Sequence, residues 1–280
     1  MKILITGSNG MLAKAVIEQF KSEDILCLDK EKLDITDKNM VEDKVSSFKP
    51  EYIINCAAYT NVNEAERDAK LAIKVNYEGV KNLSDVSKKY NITLIHISTD
   101  YVFEGTLDIK YEYKEEDIAN PKTVYGMTKL KGEKYITENL KKFYIFRTAW
   151  LYGDGKNFVK TIINLGKEKN SINVVNDQYG SPTFTKDLAE IIDKAIKYKI
   201  PYGIYHATNE GTTTWCEFAK KILKLANVKC EVIGVTTEEY EKIAKRPKNS
   251  KLSKNKLKMY NIYPRNYEEA LFEYIRGNNI

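Results

Sequence analysis

Residues 2–13 read KILITGSNGMLA, a short apolar run that ends in a glycine-rich turn and continues into an amphipathic stretch. The aliphatic residues 3–5 predict a buried strand, and the residues from Met11 onward predict a helix. The spacing G-x-x-G-x-x-A, from Gly7 through Gly10 to Ala13, is typical of a turn whose backbone N–H groups and helix dipole approach a pyrophosphate. The segment therefore predicts a βα unit that binds a dinucleotide.

The same alternation of apolar runs and amphipathic stretches continues through the first two-thirds of the chain. Strands are predicted at 2–6, 25–29, 52–57, 93–98 and 143–148, and helices at 11–21, 40–48, 69–90 and 125–139. Near-continuous apolar strands separated by helices indicate a parallel sheet covered on both faces. We therefore predict an α/β fold with a Rossmann-type doubly wound parallel sheet.

Beyond Trp150 the alternation is less regular. Helices are predicted at 157–168, 185–198 and 214–226, strands at 172–175 and 203–206, and then a tail rich in Lys, Tyr and Asn. We predict a dinucleotide-binding Rossmann domain at 1–150, to which later segments partly return. Residues 151–280 are expected to form mainly a smaller C-terminal substrate-binding lobe.

Composition excludes several classes of protein. The chain has 280 residues, 42% hydrophobic and 30% charged, which fits a globular protein with ample material for a core and excludes disordered and collagen-like chains. No apolar run approaches the ~20 residues of a membrane-spanning helix, and no signal peptide is recognisable, so a cytoplasmic protein without a membrane partner is expected. Lysines are dispersed despite the net charge of +6, which predicts no nucleic-acid partner. The four cysteines are far apart and predict neither a metal site nor a disulfide framework.

A tyrosine and a lysine four residues apart are the strongest chemical signal. Tyr125 and Lys129 share one face of the predicted helix, which follows Thr99 at the end of an earlier strand. A nearby ammonium is expected to lower the pKa of a phenol from its usual value of about 10. Tyr125 could then exchange a proton with a substrate near neutral pH.

The end of the second strand bears on which dinucleotide is bound. Asp29 lies 22 residues after Gly7, where a carboxylate can accept hydrogen bonds from the adenosine ribose hydroxyls, and this favours NADH. Lys30 and Lys32 lie beside it and could accommodate the 2′-phosphate of NADPH. NADH or NADPH is therefore expected.

These motifs together resemble the extended short-chain dehydrogenase/reductase family, which acts largely on nucleotide sugars. More narrowly, the chain is similar to the dTDP-4-dehydrorhamnose reductases from residue 2 to about residue 253. The segments that carry this resemblance are NCAA at 55–58, STDYVF at 98–103, YGMTK at 125–129, FRTAWLY at 146–152, NDQYGSPT at 176–183, GTTTW at 211–215 and RPKNS at 246–250.

The resemblance implies NAD(P)H-dependent reduction of the 4-keto group of a dTDP-deoxysugar, from dTDP-4-dehydro-L-rhamnose to dTDP-L-rhamnose, for cell-surface polysaccharide synthesis. It makes Tyr125 the proton donor, Lys129 the residue that holds the nicotinamide ribose, and Thr99 a partner of the substrate keto oxygen. The implied cofactor-binding residues, besides Tyr125 and Lys129, are Gly7, Gly10, Met11, Leu12, Asp29, Asp34, Ile35, Ala57, Ala58, Tyr59, Thr60 and Ile97. The implied substrate-binding residues are Thr99, Asp100, Trp150, Gln178, Arg246 and Asn249.

Two other functions share parts of this pattern. Nucleotide-sugar epimerases and dehydratases use the same turn and Tyr-Lys pair, but the dehydratases carry an Asp-Glu pair after the threonine, where this chain has Asp100-Tyr101. A non-catalytic, cofactor-binding regulatory subunit is the other alternative. Some family members have an early helical Glu at a magnesium-bridged dimer contact, but this chain has Lys14-Ala15-Val16 there, so no metal is predicted. A monomer or a homodimer is expected.

Overall fold

The first half of the chain builds most of the central sheet. The computed structural model describes residues 1–240 and 243–277. The elements are β1 (Lys2–Thr6), α1 (Met11–Gln19), β2 (Asp24–Leu28), α2 (Lys38–Phe48), β3 (Tyr52–Asn55), α3 (Val62–Arg67), α4 (Ala69–Ile73), α5 (Val80–Tyr90), β4 (Thr93–Thr99), α6 (Val124–Asn139) and β5 (Phe143–Thr148). A π-helical segment, Lys74–Gly79, joins α4 to α5, and a 3₁₀ turn, Asp100–Val102, follows β4.

The second half mixes short strands with amphipathic helices. Its elements are β6 (Leu151–Tyr152), α7 (Phe158–Glu168), β7 (Ser171–Val175), β8 (Tyr179–Gly180), β9 (Thr183–Phe184), α8 (Thr185–Lys197), β10 (Gly203–His206), β11 (Thr213–Thr214), α9 (Trp215–Leu225), β12 (Glu231–Val235), α10 (Thr237–Tyr240), α11 (Asn255–Lys258) and α12 (Tyr267–Gly277). The strand β12 and the helix α12 lie in the stretch that was predicted as a tail.

The central sheet confirms the predicted fold. Its strands lie in the order β10-β5-β4-β3-β1-β2, and every neighbouring pair is parallel. The chain passes from β1 to β2 on one side and then returns to β3 on the other side of β1. Ligands of such sheets bind at the carboxyl ends of the strands where this reversal occurs. The turn after β1 and the segment after β3 meet at that point.

Apolar side chains cover both faces of the sheet. Ile3 and Ile5 of β1 belong to one core cluster, together with residues of α1 and α8. Leu4, which points the other way, packs in a second cluster with residues of α2, α5 and α6. Alternate residues of a strand face opposite sides, so a strand buried on both sides must be apolar throughout. This explains the uninterrupted run at 3–5.

Later segments return to the sheet, while others form a separate core. β10 pairs with β5 and extends the sheet, and α8 packs against α1. A third cluster contains residues of α7, α9 and α12, among them Phe218 and Leu271. The small strands of the second half of the chain pair as β7 with β12, β8 with β11 and β6 with β9. Among the described helices, none is both long and apolar enough to cross a bilayer.

Candidate active site

The turn after β1 offers open backbone N–H groups. Gly7 has φ +64°, and a Cβ at this position would lie 2.9 Å from the N and Cα atoms of Ala57, so glycine is required. Gly10 N donates to Gly7 O over 2.8 Å, and Gly10 caps α1 without a side-chain hydrogen bond. The first N–H groups of α1, at Met11 and Leu12, are therefore left to an external acceptor. An anionic group such as a pyrophosphate fits this arrangement.

Acidic and apolar residues follow β2 beside this turn. Asp29 is the first residue after the strand; its carboxylate accepts hydrogen bonds from Lys32 N over 3.1 Å and from Asn9 Nδ2 over 3.2 Å. Asp34 accepts from the backbone N and the hydroxyl of Thr36, and Ile35 is buried. The structure thus places the three predicted adenosine-side residues along one segment next to the glycine turn.

The segment after β3 is held by an asparagine that the sequence motifs did not single out. Asn76, in the π-helical segment, accepts a hydrogen bond from Tyr59 N over 2.9 Å and donates to Tyr59 O over 3.0 Å. The same amide donates to Thr128 Oγ1 over 3.2 Å, next to Lys129. One buried side chain therefore braces the backbone between Ala58 and Thr60 against α6. Nothing in the sequence distinguishes Asn76 from a solvent-facing helical asparagine.

The start of α6 is built so that Tyr125 faces the end of β4. The Thr123 side chain caps the helix by accepting from Gly126 N over 3.0 Å. A Cβ at Gly126 would lie 2.2 Å from Tyr101 O, so only glycine allows this close approach. The rings of Tyr125 and Tyr101 meet edge to face with centroids 5.6 Å apart. These contacts fix the phenol against the segment 99–101.

The Tyr125 phenol lies close to the Thr99 hydroxyl, which donates its own hydrogen to Asp100 over 2.9 Å. Burial raises the pKa of Tyr125 to about 12, the nearby Thr99 hydroxyl lowers it, and the Asp100 carboxylate raises it further. The phenol is therefore neutral at physiological pH and can donate a proton. Thr99 and Tyr125, predicted from separate motifs, form one unit.

The expectation that Lys129 lowers the pKa of Tyr125 is wrong for this state of the protein. Lys129 is buried, and its Nζ donates to Ile97 O over 2.6 Å and lies 3.0 Å from His96 Nε2. The amine is thus held against β4. Burial also lowers the pKa of Lys129 to about 8, against the Glu133 carboxylate, which raises it.

Asp100 is a buried carboxylic acid at the same strand end. Its Oδ1 accepts from Thr99 Oγ1 over 2.9 Å, and the Ser250 side chain lies close to the carboxylate. Burial nevertheless raises the pKa of Asp100 to about 6. A buried carboxylate beside a tyrosine proton donor can accept hydrogen bonds from the hydroxyl groups of a ligand.

A cavity of about 840 Å³ opens between α7, β7, α9 and α10. Phe158, Trp215, Gln178 and Arg246 are among its lining residues. Trp215 stacks on Trp150, with ring centroids 3.6 Å apart and planes at 10°. Trp150 has φ +49°, an uncommon conformation for a bulky residue. The paired indoles thus connect the strand end at β5 to the wall of the cavity.

Asn249 is a correction to the predicted substrate-binding set. Its amide donates to Asp108 O and Tyr111 O over 2.9 Å each, and its Oδ1 accepts from Lys251 N over 3.0 Å. The side chain is fully buried. These backbone groups use its hydrogen-bonding capacity, so Asn249 holds the 107–111 segment and leaves no donor for a phosphate. Among the described residues, no cluster of three or more His, Cys, Asp or Glu side chains could hold a metal ion.

Comparison with known proteins agrees with this geometry. A family model described as the RmlD substrate binding domain matches residues 1–279. The chain belongs to this family. A dTDP-4-dehydrorhamnose reductase of Aggregatibacter actinomycetemcomitans is 40% identical, covering 96% of this chain and 97% of the relative. The spore coat polysaccharide biosynthesis protein SpsK of Bacillus subtilis is 38% identical, covering 98% of this chain and 97% of that protein.

A solved structure of the family has the same fold. The dTDP-4-dehydrorhamnose reductase of Bacillus anthracis, in complex with NADP, superposes with a TM-score of 0.95 at 41% identity, and 99% of each chain is covered. His96, which contacts Lys129, and Trp215, which stacks on Trp150 and lines the cavity, were not predicted as functional. Trp215 lies within the GTTTW segment that carries the resemblance, which was the available signal for it.

Proposed function

We propose that this protein reduces the 4-keto group of a dTDP-deoxysugar, dTDP-4-dehydro-L-rhamnose being the expected substrate, with NADPH or NADH as the reductant. The observation that carries the proposal is the neutral Tyr125 phenol beside Thr99, at the same sheet edge as the glycine turn. This juxtaposes a proton donor with a dinucleotide site. Membership of the family supports the reaction, and polysaccharide synthesis is its expected use.

Tyr125 donates its proton to the carbonyl oxygen of the substrate, which Thr99 helps to position. The raised pKa keeps the phenol protonated until the carbonyl oxygen gains negative charge. When bound, the reduced nicotinamide supplies the hydride for the carbonyl carbon. Lys129 lies on the same face of α6, one turn from Tyr125, and is proposed to hold the nicotinamide ribose.

The glycine turn and the segments after β2 and β3 are proposed to hold the rest of the cofactor. Gly7 excludes a side chain where a diphosphate would approach the backbone, and the N-terminus of α1 supplies N–H donors. Asp29 lies at the adenosine ribose in this proposal, and residues 57–60 line the centre of the cofactor. The NADP complex of the Bacillus anthracis relative supports this assignment.

The cavity beside the paired tryptophans is proposed to hold the substrate nucleotide. Its volume of about 840 Å³ is that of a typical ligand pocket, and Phe158 and Trp215 offer apolar surfaces for a flat base. Arg246 provides a guanidinium for the diphosphate. Asp100 and Trp150, whose indole stacks on Trp215, are proposed to contact the sugar.

Stoichiometry tests the proposal most directly. The protein is incubated with dTDP-4-dehydro-L-rhamnose and a limiting amount of NADPH, while absorbance of the reduced nicotinamide and the sugar product are followed. One mole of cofactor consumed per mole of alcohol formed is expected. Conversion of the sugar without net cofactor consumption would indicate an epimerase or dehydratase, and absence of any conversion would favour a regulatory subunit.

All residues in this proposal belong to one chain, so the proposal applies to a monomer and to a homodimer alike. A cytoplasmic location, where reduced cofactor and sugar nucleotides are available, forms part of it. Substituting Arg246 with Met provides a separate test of the cavity. Weaker binding of dTDP measured by calorimetry is expected, with NADPH binding unchanged, because Arg246 lies at the cavity and not at the glycine turn.

A further inference from the structure

A row of polar side chains crosses the central sheet below the proposed cofactor site. Thr6 of β1 pairs in register with Asn55 of β3, and Asn55 pairs with His96 of β4. Register partners in neighbouring parallel strands point to the same face. All three residues are fully buried, and the row ends at Lys129 of α6, which is also buried. Buried polar groups in an apolar sheet are costly unless each is hydrogen-bonded.

The atoms of the row lie within hydrogen-bond distance of one another. Thr6 Oγ1 is 2.7 Å from Asn55 Oδ1, and Asn55 Nδ2 is 3.1 Å from His96 Nδ1. His96 Nε2 is 3.0 Å from Lys129 Nζ. The four side chains therefore form one chain of contacts from the residue before the glycine turn to the proposed catalytic lysine.

A backbone N–H sets the direction of these hydrogen bonds. Ala57 N donates to Asn55 Oδ1 over 3.2 Å, so the oxygen of the amide faces Ala57 and its NH₂ group faces His96. His96 Nδ1 must then accept, and a neutral ring carries its hydrogen on Nε2. Burial and the neighbouring Lys129 lower the pKa of His96 well below its usual value, so the ring is neutral.

This order of hydrogen bonds requires an uncharged Lys129 amine. A hydrogen on His96 Nε2 points at Lys129 Nζ, and only an uncharged amine has a lone pair to accept it. The amine keeps two hydrogens, one of which it donates to Ile97 O. The Glu133 carboxylate, which Arg147 binds, raises the pKa of Lys129 and so favours the charged amine.

The hydrogen bonds of this row take a second order when Lys129 carries a charge. An ammonium donates to His96 Nε2, so the hydrogen of the neutral ring must lie on Nδ1. The Asn55 amide then turns its oxygen towards His96 and its NH₂ group towards Thr6. Ala57 N, which lies 3.4 Å from Thr6 Oγ1, has an alternative acceptor there. One proton is taken up overall, and His96 is neutral in both orders.

We propose that His96 is a positioning residue for Lys129. Through its tautomer, His96 couples protonation of the lysine amine to the order of hydrogen bonds through Asn55 and Thr6. The functional meaning of this coupling rests on the role of Lys129 in the proposed reaction. The amine is held uncharged against β4 in one order, and is charged and able to donate to His96 in the other.

The tautomer of His96 tests this inference in the cofactor-free protein. The chain contains two histidines, so uniform ¹⁵N-histidine labelling gives two ring systems that NMR can follow with pH. Above the pKa of Lys129 the hydrogen of His96 is expected on Nε2, and below it on Nδ1, without charging of the ring. The midpoint should coincide with the titration of Lys129, followed by its ¹³Cε shift and assigned with Lys129→Met.

His206 is the matched control in the same spectra. It is equally buried, and its Nδ1 lies 3.1 Å from Tyr113 O, a carbonyl that can only accept. Its hydrogen should therefore remain on Nδ1 throughout, and His206→Gln assigns its signals. Loss of the His96 change in Lys129→Met would support the coupling further.

A His96 tautomer that stays constant while Lys129 titrates would overturn the inference, and so would a tautomer change that persists in Lys129→Met. Neither result depends on cofactor, substrate or turnover, so failure of the coupling is distinguishable from failure of the proposed reaction. The variant His96→Gln gives an independent measurement, because its carbonyl oxygen can accept from the ammonium. The pKa of Lys129 is expected to rise by about one unit or more in this variant, and an unchanged value would contradict the coupling.

Discussion

Thr99 Oγ1 donates a 2.9 Å hydrogen bond to Asp100 Oδ1, so a hydroxyl and a buried carboxylate of adjacent residues are joined at the end of β4. The Tyr125 phenol lies beside the same Thr99 hydroxyl. The carboxylate is thus coupled to the proton donor through a single hydroxyl group. Burial raises the pKa of Asp100 to about 6, so the folded protein binds this proton more tightly than the unfolded chain does, and the charged form is destabilised at neutral pH.

Replacing Asp100 with Asn is expected to stabilise the protein while lowering turnover. The amide keeps an oxygen for the Thr99 hydroxyl but removes the charge whose burial costs on the order of 3 kcal/mol at neutral pH. Chemical denaturation at pH 7 should show a higher midpoint for the variant, and steady-state assays should show a lower kcat/KM. A lower midpoint would mean that the carboxylate is needed for structure.

The stability difference between Asp100→Asn and the parent should depend on pH. The folded-state pKa of about 6 lies above the unfolded value of 3.8, so the penalty for the charged acid is absent at low pH and complete above the folded value. The advantage of the variant is therefore expected to shrink as the pH falls from about 6 to about 4. A difference that is constant over this range would contradict the raised pKa.

Replacing Tyr125 with Phe is expected to lower turnover by ~10²-fold or more, the usual size of general acid catalysis. Binding of NADPH, measured by fluorescence titration, should change by no more than a few-fold, because the ring and its contact with Tyr101 remain. Tyr135→Phe on the same helix is the control, since that hydroxyl donates to Asp85 away from the site. Near-normal turnover in Tyr125→Phe would remove Tyr125 from the mechanism.

The sequence predicted the sheet and the proposed catalytic pair because both follow local rules. An apolar run such as residues 3–5 indicates a strand covered on both faces, and a four-residue spacing places Tyr125 and Lys129 on one helical face. It did not predict where the Lys129 amine lies, because that depends on His96, which is distant in sequence and adjacent only through strand pairing. Arguments from spacing give the face of a helix and not the partner opposite it.

The error at Asn249 has a similar cause. An asparagine near Arg246 in a segment that resembles a ligand-binding motif offers donors, but whether they are free depends on the backbone of 107–111, over a hundred residues away. Strand β12 was missed for another reason: Gly234 interrupts its apolar residues Val232, Ile233 and Val235, and the strand is mostly exposed and pairs only with β7.

Asp29→Ala is expected to weaken NADH binding by about tenfold, the effect of losing one charge-assisted hydrogen bond, and NADPH binding by less. The carboxylate can accept from a ribose hydroxyl but repels a 2′-phosphate. Because Asp29 also accepts from Lys32 N, Asp29→Asn is the control that keeps an oxygen for the turn. The two variants should agree in favouring NADPH relative to NADH in calorimetric titrations. Equal losses for both cofactors would mean that Asp29 only supports the turn.

Glu133 and Arg147 form a buried ion pair behind the site, with Arg147 Nη2 2.7 Å and Nε 3.0 Å from the carboxylate oxygens. Replacing Glu133 with Gln leaves the guanidinium charge buried without its counterion, which is expected to destabilise the protein by about 3–5 kcal/mol. Denaturant unfolding measures this loss. The double variant Glu133→Gln with Arg147→Met should recover part of it, because no charge then remains unpaired.

The same substitution provides a second measurement on Lys129. The Glu133 carboxylate raises the pKa of Lys129 against the effect of burial, so its removal should bring that pKa below about 8. The uncharged amine would then persist to lower pH, and the His96 tautomer change would move with it. An unaltered Lys129 titration in a folded Glu133→Gln protein would show that the ion pair with Arg147 already neutralises the field of Glu133 at the lysine.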